Sequence, residues 1–237
     1  MDKQSEINYA SDMTRAAHLF KLGIIASLIA LAGDMVLGWG VPDESLTGLE
    51  QYFSRYLTVS DARIVWASVL GLIGITVETL CYFGVYRIIR IKSEKYAHIY
   101  RAGLIGMTAF GPFTHVMCCA VIYHLKALYA VSPSSAIDGT VRFAGCFLLP
   151  VVIVFFPFFL ITAITQIMAF AKGLTPYPKW CWIFSILSGM IVIFLVRIIG
   201  NYPAVYAIST GWISIGGIIH FAGLLITMKK TERPQND

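Results

Sequence analysis

The sequence predicts an all-α integral membrane protein, a six-transmembrane-helix bundle with an amphipathic interfacial helix between helices 1 and 2. Two observations carry this. Of 237 residues, 57% are hydrophobic and 13% charged, with a mean hydropathy of +0.73, too little polar surface to cover a water-soluble globule. The apolar residues also gather in runs of the length one helical bilayer crossing needs, about 20 residues, rather than in the short alternating segments of a barrel.

The runs are His18 to Val41, Ala62 to Arg87, Ala102 to Leu125, Phe143 to Phe170, Trp180 to Gly200 and Tyr206 to Met228. They divide the chain into a cytoplasmic N-terminal arm (1–17), a membrane domain (18–228) and a basic cytoplasmic tail (229–237). The first run is too long for a signal-peptide core and no small-residue cleavage site follows it, so it is expected to stay in the protein. Between the first two runs, in "VPDESLTGLEQYFSRYLTVSDAR", Pro42 and Asp43 read as a helix start, and Leu46, Leu49, Tyr52, Phe53, Tyr56 and Leu57 recur at helical spacing. That pattern predicts an amphipathic helix on the outer interface, a candidate lid. In the fourth run Pro150 and Pro157 each remove a backbone hydrogen bond and predict a kink; Pro112 does the same in the third, beside His115.

Lys and Arg set the orientation. Arg87, Arg90, Lys92, Lys95 and Arg101 crowd the second connection, Lys172 and Lys179 the fourth, and Lys229, Lys230 and Arg233 the tail. The opposite connections hold Asp43, Glu44, Glu50, Asp61 and Asp138. With six spans the positive-inside rule puts both termini in the cytoplasm, and the plasma membrane is the expected location. The net charge of +5 is then a topology signal, with no nucleic-acid partner implied. Cys81, Cys118, Cys119, Cys146 and Cys181 lie in or at the edge of spans without a Cys-x-x-Cys pair, and read as small apolar packing residues.

Ionisable residues inside the spans are the functional candidates. At helical steps of three and four, Asp34 shares a face with Gly23, Ser27, Ala30 and Gly38; Glu78 with Ala67, Gly71, Gly74 and Cys81; His115 with Thr108, Gly111 and Cys118; His220 with Gly216 and Gly223. Small residues mark faces where membrane helices approach closely, so all four groups are expected to point into the bundle, or toward a second copy of the chain. Along the membrane normal, Glu78, His115 and His220 fall near mid-depth and form an expected pocket floor, while Asp34 and Arg197 fall further out as an expected ion pair, with Asn201 and Tyr202 at the same mouth.

The expected function is binding, with transport or sensing, of a small or lipid-like molecule in this interior pocket, through Asp34, Glu78, His115, Arg197, Asn201 and His220. An intramembrane enzyme acting on lipid is the alternative, with Glu78, His115 and Asp34 as catalytic candidates. In a metal-dependent version Glu78, His115 and His220 would supply the two-histidine, one-carboxylate set of an open zinc site. A structural subunit of a membrane complex is the third.

Overall fold

The computed structural model describes residues 3–231, and among them every regular element is helical. Met1, Asp2 and the tail from 232 onward, Arg233 included, lie outside the described residues. The N-terminal arm is not separate from the first span, since α1 (Lys3–Gly38) runs through both. α2 (Gly48–Leu57) is the helix expected between the first two spans. It starts later than Pro42 and Asp43 because the Asp43 carboxylate accepts hydrogen bonds from the amide and hydroxyl of Ser45, 2.9 and 2.7 Å, which closes a turn in place of a helix cap. These same bonds hold the Asp43 carboxyl below the usual carboxylate range.

α3 (Asp61–Cys81) is capped by Ser60, whose hydroxyl accepts from the Arg63 amide, and α4 (Phe83–Arg90) extends it. α5 (Glu94–Val131), capped by Ser93, passes unbroken through Pro112. α6 (Pro133–Phe143) leads through a π-helical turn, Ala144–Leu148, into α7 (Leu149–Ala171). That wide turn directly precedes Pro150 and absorbs the residue that cannot donate; the helix then continues through Pro157. Four stretches, Tyr9–Gly38, Asp61–Arg90, Glu94–Val131 and Pro133–Ala171, are long and apolar enough to cross a membrane. This is a helical membrane protein.

The last two expected spans are not single helices. Trp180 to Gly200 resolves into a 3-10 turn, Lys179–Ile183, an unwound stretch at 184–187, and the ten-residue α8 (Ser188–Arg197). Ser185 takes up the slack: its carbonyl accepts from the Ser188 amide and hydroxyl, and its own hydroxyl from the Leu187 amide. The Phe184 carbonyl, freed from any helix, accepts 2.7 Å bonds from Gln166 Nε2 and His220 Nδ1. Tyr206 to Met228 is likewise broken, into α9 (Pro203–Thr210) and α10 (Trp212–Thr231), which meet at 66° across Gly211. Counted as one span, this bent pair brings the apolar crossings to five.

Each helix packs on its neighbour in the order α7–α5–α3–α1–α10–α8, and Gln166 of α7 closes the ring onto the 184–187 stretch. The small faces make this closeness physical. A Cβ on Gly74 would stand 2.5 Å from the Ala30 amide nitrogen, and one on Gly33 3.0 Å from that of Gly71. Ion pairs fix the two ends: Asp12 holds Arg87 at 2.8 Å and Arg90 at 3.1 Å, and Lys126 holds Asp61 at 2.5 Å. Two of the clustered basic residues are thus tied to α1 as well as marking one side.

Arg63 performs a third fastening. Its Nε and one terminal nitrogen donate to the Val36 carbonyl at 2.9 and 2.6 Å, and the same terminal nitrogen to the Trp39 carbonyl at 3.0 Å, which satisfies the open C-terminus of α1. Replacing it by alanine is expected to lower stability by about 1.5–3 kcal/mol, the scale of a charged hydrogen bond, measured as thermal unfolding in detergent, with Arg63→Lys recovering part of the loss.

Candidate functional site

Asp34 sits on α1 one turn before its end, and each of its polar atoms is used. Oδ1 lies 3.3 Å from His115 Nδ1, Oδ2 accepts from the Ser214 hydroxyl at 3.0 Å, and its carbonyl accepts from the Thr210 hydroxyl at 2.9 Å. The last two partners flank the bend at Gly211. On the far side of the ring, His115 Nε2 donates to the Ala67 carbonyl at 3.0 Å, with Cys119 Sγ 3.8 Å from the same nitrogen. Gly71 makes room for this, since a Cβ there would collide with the imidazole.

The expected Asp34–Arg197 ion pair is therefore not formed. Both carboxylate oxygens are taken by His115 and Ser214, and the Arg197 guanidinium lies 4.6 Å over the Tyr206 ring. His115 is correspondingly paired with Asp34 and not with Glu78. Glu78 is fully buried, with Ser27 and Tyr82 among its polar neighbours, and Gly217 leaves the space its Oε1 occupies. Glu78 Oε1, the Ser27 hydroxyl and the Tyr82 hydroxyl nevertheless make no aligned hydrogen bond. Buried polar atoms in that condition call for a partner, and the adjoining cavity has the room for one.

His220 belongs elsewhere. It is fully buried, with Nδ1 committed to the Phe184 carbonyl and 3.1 Å from Gln166 Nε2, and its ring lies 5.0 Å from that of Tyr82. Its position completes the broken backbone of the 184–187 stretch. The zinc set expected from Glu78, His115 and His220 is consequently not assembled: both nitrogens of His115 are engaged, His220 faces another segment, and among the described residues no three such side chains converge to hold a metal ion. His124 stacks on Phe143 at 4.4 Å, out of phase with His115 as its spacing requires.

Three cavities adjoin along this interior. The inner one, about 180 Å³, is bounded by Asp34, Glu78, Tyr82, His115, Cys118 and Ser214, with Ile186 of the unwound stretch. Asp34, His115, Cys118 and Thr210 are shared with a middle cavity of about 480 Å³, whose other walls include Leu37, Phe53, Ile122, Leu148 and Arg197. Tyr52, Arg55 and Arg197 are shared in turn with an outer cavity of about 520 Å³ that Glu44, Asn201 and Tyr206 also line. Asn201 lines this outer cavity with Arg197, its Oδ1 accepting from the Tyr206 hydroxyl at 3.1 Å.

Sequence reasoning passed over Arg55. It is 6% exposed on α2, stacked over Tyr52 and Tyr56 at 4.7 and 4.5 Å, and it donates to the Tyr56 hydroxyl. A lone cation among the aromatic residues of "EQYFSRYL" was the available signal. Burial raises the Tyr56 phenol well above its ordinary range, so it stays neutral beside this cation.

Asp34→Asn and His115→Gln are expected to be non-additive in thermal unfolding, with a coupling of about 0.5–3 kcal/mol in a double-mutant cycle, whereas His115→Gln and His220→Gln, which share no partner, add to within about 0.5 kcal/mol.

No curated protein and no solved structure matches the chain. A family model does match, over residues 1–231, and the chain belongs to that family, a family of unknown function designated DUF6796.

Proposed function

We propose that this protein crosses the plasma membrane six times with both termini in the cytoplasm, and that it binds, and moves or senses, a small or lipid-like molecule in its interior. The observation that carries the reading is the run of three adjoining cavities, joined by shared walls, that leads from the α2–α8–α9 mouth to the Asp34–His115 pair and on to Glu78. The middle and outer cavities, about 480 and 520 Å³, each fall within the range of small-molecule sites, roughly 300–1,000 Å³.

Two broken helices flank the inner cavity, at 184–187 and at Gly211. Irregular backbone inside a membrane protein is tolerated where it borders a cavity, and discontinuous helices are how many transporters build substrate sites. In the six-crossing reading, Lys179 to Arg197 makes the fifth crossing in two pieces, antiparallel to α10: Phe184 lies beside His220 and Gly223, and Gly189 beside Trp212. α2 serves as the lid, because Tyr52, Phe53, Arg55 and Tyr56 wall the middle cavity.

A second reading, an intramembrane acid–base enzyme acting on lipid, is favoured by one feature, the Asp34–His115 pair facing a cavity. It requires His115 to release one of its two partners during a reaction.

The test is to purify the full chain in mild detergent and identify by mass spectrometry what remains bound. About one molecule per chain is expected, reduced at least tenfold in Cys118→Phe, which fills the junction of the inner and middle cavities while adding only an overpacking cost of about 1–3 kcal/mol. An empty wild-type protein that also takes up no added amphiphile would sink the binding reading. Conversion of the extracted molecule by wild type, abolished in His115→Gln, would establish the enzyme. A reporter that fluoresces only in the cytoplasm, fused after Asp237, is expected to be bright.

A further inference from the structure

Arg55 and Arg197 stand together where the outer and middle cavities meet. Both lie over the Tyr206 ring, the Arg55 guanidinium carbon 5.5 Å from its centre and that of Arg197 4.6 Å. Neither guanidinium has an ion pair among the described residues, and the carboxylates lining these two cavities are Asp34, occupied by His115 and Ser214, and Glu44. Arg55 is 94% buried, taking its 6% exposure, and its Nε has no hydrogen-bond partner. Its other contacts are faces of tyrosine rings and the Tyr56 hydroxyl, which stabilise a cation without neutralising it.

A buried charge without a counter-ion is costly, and a second cation over the same ring adds repulsion. Both terms reverse when an anion enters. The guanidinium fork also matches a phosphate or carboxylate in a way a lysine would not. Below the pair, the middle cavity is walled by Leu37, Phe53, Val121, Ile122 and Leu148, an apolar sleeve, and Asp34 at its inner end repels a second negative charge. Head and tail are thus assigned opposite ends.

Resting on the binding function proposed above, we infer that the ligand is a single-chain amphiphile with an oxyanion head, a phosphate monoester or a carboxylate, whose head is held by Arg55 and Arg197 and whose tail fills the middle cavity toward His115. The head chemistry is shared by a lipid and a free phosphate, and the apolar sleeve favours the lipid.

The experiment is equilibrium binding, by native mass spectrometry, of oleoyl-lysophosphatidic acid, oleate, neutral mono-oleoylglycerol and inorganic phosphate to the full chain in uncharged detergent. Lysophosphatidic acid or oleate is expected to bind one per chain and at least tenfold more tightly than the neutral lipid. Arg197→Gln and Arg55→Gln should each weaken the anionic ligands at least tenfold and leave the neutral one unchanged. Arg197 is exposed, so its variant tests the site even where Arg55→Gln unfolds. Arginine-dependent binding of phosphate alone at the same concentrations would support the anion site with a free anion as its source. Equal binding of charged and neutral lipids, indifferent to both arginines but lost in Cys118→Phe, would overturn the anionic head and leave the cavity function standing. Failure of every lipid and of phosphate to bind would overturn both.

Discussion

A carboxylate in an apolar interior has to be answered by neighbouring protons, and the structure is organised around how Asp34 is answered. One side chain and its carbonyl reach α5 through His115, α9 through Thr210 and α10 through Ser214. None of these contacts is possible unless the helices come close, which the glycines and alanines of α1 and α3 allow. The bend at Gly211 lies between two of these partners, Thr210 and Ser214.

Periodicity within one helix was legible in the sequence. The small-residue faces of Asp34, Glu78, His115 and His220 do turn inward, because that depends only on steps of three and four along a continuous helix. Depth and partnership were less legible. Arg197 was matched to Asp34 by counting residues along straight spans, yet the chain between Trp180 and Tyr206 is interrupted at 184–187, and the count fails there. His220 looked equivalent to His115 by its neighbours, but its role is set by the freed carbonyl of Phe184, a residue 36 positions away that no local pattern connects to it. Arg55 escaped notice for a different reason: a cation on an amphipathic helix ordinarily marks the wet face, and here the tyrosines of α2 and α9 fold over it.

The interior grades from cationic at the mouth to acidic further in. Arg55 and Arg197 precede the Asp34–His115 pair, and the unpartnered atoms of Glu78, Ser27 and Tyr82 come last. Such an order gives the two ends of the interior different charge environments. The broken segments lie alongside the inner half of that gradient, where backbone groups not consumed by helical bonds are held by the side chains of Gln166, His220, Ser185, Ser188 and Thr210.

The clamp of Arg63 on Val36 and Trp39 has a mechanical meaning for α2. The strap from Trp39 to Thr47 leaves from a fastened post, Gly40 passes flush against the Arg55 carbonyl, and the other end of α2 runs within three residues into the capped start of α3. A segment moored at both ends cannot lift away like a flap hinged on one side. Tyr52 and Arg55 thus take their places against the cavities from the α1–α3 pair, which carries both moorings.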